Sequence, residues 1–386
     1  MVAASLILLL TVSSSSRAEA LVLRLGGPGY AAREQVGREL VELGRYSLPA
    51  LRRGQTHADL EIAERCKRLL PLAVAESARQ RLARLEALAR TDPLPAIPLN
   101  ERLLRRFVAA AGDTRGARQF YLEIYREHAK TLDDIEWAEP KAAGEAFWGY
   151  VDRWLIYPDG RITANLSTLT YNRVDLALFW FLSVDPEVRP APCPGLGRKD
   201  CPYYFPKHAS GHLDGPDAIP EMRRLFLTWL TGPRNVPDPE VDRRMAGTGF
   251  ELALNSRQTD LVAAVQQIAV NRDAPRGTRV EALFAIMRSG GVSDVDRLVP
   301  TIADDTIVYL PSPIQGPGRK VVVGDIALAA CVRLAGRRLG EFGFPDAPAA
   351  EDEPNDLRHY GFSDDDARAA ARKRWVAHTA PPGGKP

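Results

Sequence analysis

Residues Pro28 to Ala73 read PGYAAREQVGRELVELGRYSLPALRRGQTHADLEIAERCKRLLPLA, a stretch in which three helices and two turns follow one another. Val36, Leu40 and Leu43 recur at helical spacing on one face, while Arg33, Glu34, Arg38 and Glu39 lie elsewhere on the cylinder. Gly44 then ends the first helix, because glycine adopts the left-handed conformation that closes a helix C-terminus. Ser47, with Pro49 two residues on, suits the start of a short second helix through Leu51. A third helix begins near Asp59 and turns Ile62, Cys66, Leu69 and Leu70 inward. None of the three can bury its apolar stripe alone, so each must stack on a neighbour.

The entry Ala31-Ala32-Arg33-Glu34, the exit Leu40-x-x-Leu43-Gly44 and the short helix Ser47-Leu48-Pro49-Ala50-Leu51-Arg52 resemble a HEAT-like repeat, the antiparallel helix pair of α-solenoids. The resemblance covers about fifty residues. A frame drawn from it places a polar residue, apolar residues three and seven positions later, and a glycine after eleven. Arg33, Val36, Leu40 and Gly44 define it; Glu101, Leu104, Val108 and Gly112 repeat it. Arg279, Ala282, Ile286 and Gly290 match it again, as do Asp325, Leu328, Val332 and Gly336. The resemblance therefore implies a mostly α fold built of HEAT-like helical repeats, an α-solenoid. Such repeats bind proteins more often than they catalyse, although a fold by itself does not set a function.

The chain has 386 residues and is 45% hydrophobic, which places it among globular proteins and rules out wholesale disorder. Lys+Arg number 51 against 49 Asp+Glu, so the formal charge is only +2 and supplies no global field for nucleic acid or an anionic membrane. The basic clusters Arg52-Arg53, Arg102 with Arg105-Arg106, and Arg337-Arg338 read as solvated helix faces, and no nucleic-acid partner is expected.

The first twenty residues differ from the rest. Leu6 to Val12 is an uncharged apolar run, followed by Ser13 to Ser16 and by Ala18-Glu19-Ala20, which fits the small-x-small cleavage rule of a secretory leader. No positive residue precedes the run, and it is shorter than the roughly twenty apolar residues of a spanning helix. The expectation is a leader over 1–20, a periplasmic or secreted mature chain, and no stable membrane span after cleavage; the alternative is a cytoplasmic chain with an unprocessed N-terminus. The remainder divides into N-terminal HEAT-like helices (21–130), an irregular aromatic-rich insert (131–219), C-terminal helical repeats (220–304), a strand-loop element with a capped helix (305–378) and a tail (379–386).

Along the chain, a helix over Leu72–Arg90 stops at Thr91-Asp92-Pro93, and the prolines of 93–98 dictate an extended linker. Asn100 is placed to cap the next helix, with Leu103, Leu104, Phe107 and Val108 as its stripe; Phe120, Tyr121, Ile124 and Tyr125 mark the one after it. In the insert, 153–166 suits a hairpin over Pro158-Asp159-Gly160, and Val174–Leu182 is apolar all round, a buried helix whose aromatic side chains form core rather than a ligand groove. Helices are expected over 220–231, 242–256, 258–271, 276–290 and 293–302. Thr306–Leu310 and Lys320–Val323 flank a Pro/Gly-rich loop and suit a short β-hairpin or extended arms near 306–323. Asp346–Pro354 reads as a solvated acidic linker. Phe362, Ser363 and Asp364–Asp366 supply a staple, an N-cap and an acidic first turn for a last helix.

Chemistry-bearing residues concentrate in PCPGLGRKDCPYYFPKHASGHLDGPD. Cys193, Cys201, His208 and His212 offer the two sulfurs and two imidazoles of a structural zinc site. Their spacing is poor for one, since zinc knuckles set paired cysteines about two to four residues apart. A Cys193–Cys201 disulfide explains the sulfurs more simply in an exported chain and contributes about 2–3 kcal/mol. Ser210 between the histidines, with Asp214 and Asp217 downstream, lacks the G-x-S-x-G elbow. Asp133-Asp134 with Glu136, and Asp304-Asp305, read as helix caps, and Cys66 and Cys331 as small buried hydrophobes. Gly26-Gly27-Pro28-Gly29 lacks the lysine of a phosphate loop. The function expected is a noncatalytic scaffold for an unidentified protein partner in the cell envelope, without a cofactor; the alternative is a metal-dependent or loop-based hydrolase using Cys193–Asp217, with zinc as the alternative cofactor.

Overall fold

The computed structural model describes residues 14–155, 172–192, 210–215, 218–310, 319–347, 350 and 356–379. It is mostly helical with one small antiparallel sheet. The chain forms two compact units: residues up to Val108 with Asp113–Asp133, and Ala109–Gly112 with everything from Asp134 onward.

Among the described residues the first unit opens with helix α1 over 14–24, followed by α2 (Tyr30–Glu42), α3 (Leu48–Gly54) and α4 (Leu60–Arg90). Gly44 is left-handed, with φ of 54°, as expected of the residue that ends α2. Ser47 does not cap α3; its hydroxyl donates to the Gly44 carbonyl at 2.8 Å, so the cap residue is spent on the turn instead. Asp59 is a true cap, its Oδ1 accepting from the backbone N–H of Glu61 at 2.9 Å and of Ile62 at 3.4 Å. The helix it opens runs unbroken through Pro71, so the two helices expected around Leu72 are one rod.

Helices α2 and α4 run parallel. Arg65 Nη1 meets Glu34 Oε1 at 2.8 Å near their starts, Leu69 packs on Gly37, and Gln80 Nε2 donates to the Glu42 carbonyl at 2.8 Å near the end of α2. The short α3 returns between them and brings Leu51 to Val36, Leu40 and Cys66 in the core. Past α4 the proline segment is non-helical, and the buried Arg118 pins it by donating to the carbonyls of Leu88 at 3.2 Å and Pro95 at 2.7 Å. Glu101, not Asn100, stands before α5 (Arg102–Ala111): its carbonyl accepts the first helical bond, from Arg105 N, at 3.1 Å. Helix α6 (Arg115–Glu136) is kinked at His128, whose φ of −123° and ψ of 27° are not helical.

In the second unit, α7 (Pro140–Leu155) and α8 (Arg173–Val184) are joined through residues that lie outside the described ones; the hairpin expected over 153–166 begins inside α7, where 153–155 are helical, and its remainder lies outside the described residues. Asn172 caps α8 by accepting from Asp175 N at 2.9 Å, and every residue from Leu176 to Ser183 is buried. Phe179 lies 6.2 Å from Phe147, and Trp180 lies 4.9 Å from Phe226 of α10 (Pro220–Thr231), between ring centroids. The aromatic run is therefore core. At about 1.5–3 kcal/mol per buried large side chain it is a main anchor of this region. The short α9 (Ser210–Asp214) precedes α10.

Helices α11 (Pro239–Asn255), α13 (Arg276–Ser289) and α15 (Val323–Leu334) lie side by side, all pointing the same way. Arg243 Nη1 meets Glu281 Oε1 at 2.6 Å and Glu251 pairs with Arg288 further along, which sets α11 parallel to α13. Next, Arg279 at the start of α13 and Gly324 at the start of α15 both bond to Asp304, while Arg333 reaches the Met287 sulfur at the far ends. The chain returns through α12 (Thr259–Val270), buried at Leu261, Val265 and Ala269, and through residues 292–303. That second return is a broken rod, 3-10 turns on either side of α14 (Val295–Leu298), where one helix was expected.

Strands β1 (Ile307–Tyr309) and β2 (Val321–Val322) pair antiparallel, Ile307 opposite Val322 and Tyr309 opposite Val321. Helix α15 is buried continuously from Val323 to Val332. Of the linker expected over Asp346–Pro354, Ala347 and Ala350 are buried rather than solvated, and 348–349 and 351–354 lie outside the described residues. The last helix, α16 (Asp365–Thr379), is capped one residue later than expected: Asp364 Oδ1, not Ser363, accepts from Ala367 N at 2.7 Å.

Candidate functional site

Cys193, Cys201 and His208 lie outside the described residues, together with Asp217; His212 is half-buried on α9. Neither a zinc site nor a Cys193–Cys201 bridge is described among the residues that the structure places. Cys66 and Cys331 are fully buried free thiols, as their positions in apolar stripes imply. Burial raises both, Cys331 to about 12, which makes them inert rather than nucleophilic.

Polar chemistry in the first unit gathers around Arg81, which stands one turn before Leu85 on the buried face of α4. Its Nε donates to Glu101 Oε2 at 3.0 Å, its Nη1 to Asp133 Oδ1, and its guanidinium lies 5.0 Å from the Tyr125 ring centroid. Arg84 Nε reaches the other oxygen of Glu101 at 3.2 Å, and the Tyr125 hydroxyl donates to Asp133 at 3.1 Å. Glu101 is wholly buried, whereas the Asp133 side chain keeps 27% exposure. Burial lifts the Asp133 carboxyl above its ordinary range even against the Arg81 charge; burial, then the Asp133 charge, lifts the Tyr125 phenol. Asp133 therefore closes a polar network and does not cap a helix. A charged residue in the apolar register of α4 is the signal that could have revealed this network, because arginine is almost never buried without a partner.

A second pair of networks flanks the start of α15. Arg279 Nη2 donates to Asp304 Oδ2 at 2.6 Å, and Asp304 Oδ1 accepts from Thr306 N at 2.9 Å. Burial tends to raise the Asp304 carboxyl, but the bonds from Thr306 and Arg279 outweigh it and hold the group below the usual carboxylate range. Arg368 of α16 reaches both oxygens of Asp325, at 2.8 and 3.2 Å, and Arg372 bonds Asp305 at 2.8 Å. Burial raises Asp325 despite Arg368. Asp304 and Asp305 thus tie distant elements together and do not cap helices.

These arrangements are pairs of opposite charge that satisfy one another. They fasten helices to one another. The surface offers something different. Leu23, Tyr30 and Leu60 are 63%, 68% and 73% exposed. They stand at one end of the first unit, where α1 passes into α2 and α4 begins; a Cβ on Gly26 in that turn would lie 3.2 Å from Ile62 of α4. Among the described residues no helix is long and apolar enough to cross a membrane. Comparison of the chain with protein-family models, curated proteins and solved structures yields no match.

Proposed function

We propose that the protein is a noncatalytic, partner-binding scaffold whose helices form a HEAT-like α-solenoid. The observation that supports this reading is the alternation in the second unit, where α11, α13 and α15 run parallel and the chain returns each time through a shorter helical segment. Repetition of that kind builds surface in proportion to length, which is how helical repeats bind partners. The mutually satisfied ion pairs agree with a structural use of the charged residues. An envelope location rests on the apolar run Leu6–Val12.

The experiment is affinity capture with the full chain and with a Tyr30→Ser/Leu60→Ser variant, which removes two exposed apolar side chains without touching the core. Proteins retained by the wild type, lost by the variant and absent from blank resin are expected, at unchanged melting temperature. Capture profiles indistinguishable from blank resin in repeated extracts would overturn the scaffold.

A further inference from the structure

The cleavage rule satisfied by Ala18-Glu19-Ala20 meets a physical obstacle. Residues 14–24 form helix α1; its inward face carries Ala18, Leu21 and Val22, and Leu25 follows in the turn, exposed by 0%, 3%, 6% and 0%. They share one core with Val36 and Leu40 of α2, Leu51 of α3, and Ile62 and Cys66 of α4. The contact is close: a Cβ on Gly54 would stand 2.4 Å from Cys66 Sγ and 3.1 Å from Val22 Cγ1, so glycine is what lets α1 and α4 meet across α3. Two ion pairs hold the rim, Arg17 to Glu39 at 3.2 Å and Glu19 to Arg53. A cut after Ala20 removes Ala18 from the core and both rim partners with it.

We infer that α1 is a permanent part of the first unit, so that any proteolytic maturation leaves residues 14–24 on the chain. The inference stands apart from the scaffold reading, because it concerns how the first core is completed and not what the surface binds. Chain segments that complete a core bury apolar area at roughly 25 cal/mol per Å², and losing them exposes their partners to water. A leader removed after export makes no such contribution to the mature fold.

The test uses the full chain expressed in an exporting host. N-terminal sequencing of the recovered protein should find an N-terminus at or ahead of Ser14; an N-terminus between residues 15 and 21 would overturn the inference. Two variants supply an independent reading. Ala18 and Ala20 both belong to the small-x-small pattern, but Ala18 is buried and Ala20 exposed. Ala18→Asp should lower Tm by more than about 5 °C and speed modification of Cys66 at least about tenfold, since it drives a charge into the core. Ala20→Asp should do neither. Equal melting of both variants and the wild type would show that α1 is not part of the core.

Discussion

Arg279 and Asp304, joined at 2.6 Å with both side chains closed to solvent, fasten the start of α13 to the turn that precedes β1. Arg279 is also the leading polar residue of a repeat frame. In two other frames the leading residue does the same: Glu101 pairs with Arg81, and Asp325 with Arg368. The fourth, Arg33, lies 3.5 Å from Glu61 near the surface. The position that begins each frame is thus where a helix is tied to its neighbour.

Removing one partner of the Arg279–Asp304 pair leaves a buried charge uncompensated. Arg279→Met should destabilise by about 3–5 kcal/mol in urea unfolding, and Arg279→Met/Asp304→Leu by clearly less. A loss in the double variant equal to the sum of the losses in Arg279→Met and Asp304→Leu alone would mean that the pair is not coupled.

The pH dependence of this pair has a defined sign. The Asp304 carboxyl is lower in the folded protein than its ordinary value near about 3.9 in an unfolded chain. Its stabilisation is therefore fully present above that value and is lost as pH falls through the folded one. The difference in unfolding free energy between wild type and Asp304→Asn should be constant from pH 5 to 7 and shrink below about pH 4.

Cys66 and Cys331 should resist a thiol reagent at pH 8 in the folded protein and react on denaturation, because burial raises both thiols. A count of reactive thiols before and after urea checks this. The same titration, with and without reductant, reports whether Cys193 and Cys201 are bridged.

The aromatic contact between Trp180 and Phe226 predicts a further outcome. Trp180→Ala leaves a void in a site with no exposure and should destabilise by about 3–5 kcal/mol, with loss of near-ultraviolet dichroism. A surface groove at this position would instead tolerate the change.

Much of the helical architecture could be read from the residues. Apolar spacing located α2, α5, α8, α10 and α13 within a few residues, and three of the four frame glycines, Gly44, Gly112 and Gly336, are left-handed. Gly290 ends its helix with extended backbone instead, at φ −77° and ψ −179°. What failed was local: the Ser47 hydroxyl donates to the Gly44 carbonyl instead of capping, Glu101 rather than Asn100 stands before α5, and Asp364 takes the cap expected of Ser363. The rod through Pro71 was also missed, since proline removes one bond that packing on either side replaces.

The sequence by itself determined that this is a helical protein whose segments cannot bury their apolar faces singly, because periodicity and glycine punctuation are properties of the neighbouring residues alone. Only the tertiary structure decided that Arg81 sits between Glu101 and Asp133, that Arg279 reaches Asp304, and that α1 completes the first core. Those partners are far apart along the chain, and a charge or an apolar face carries no local mark of the distant group that will compensate or cover it.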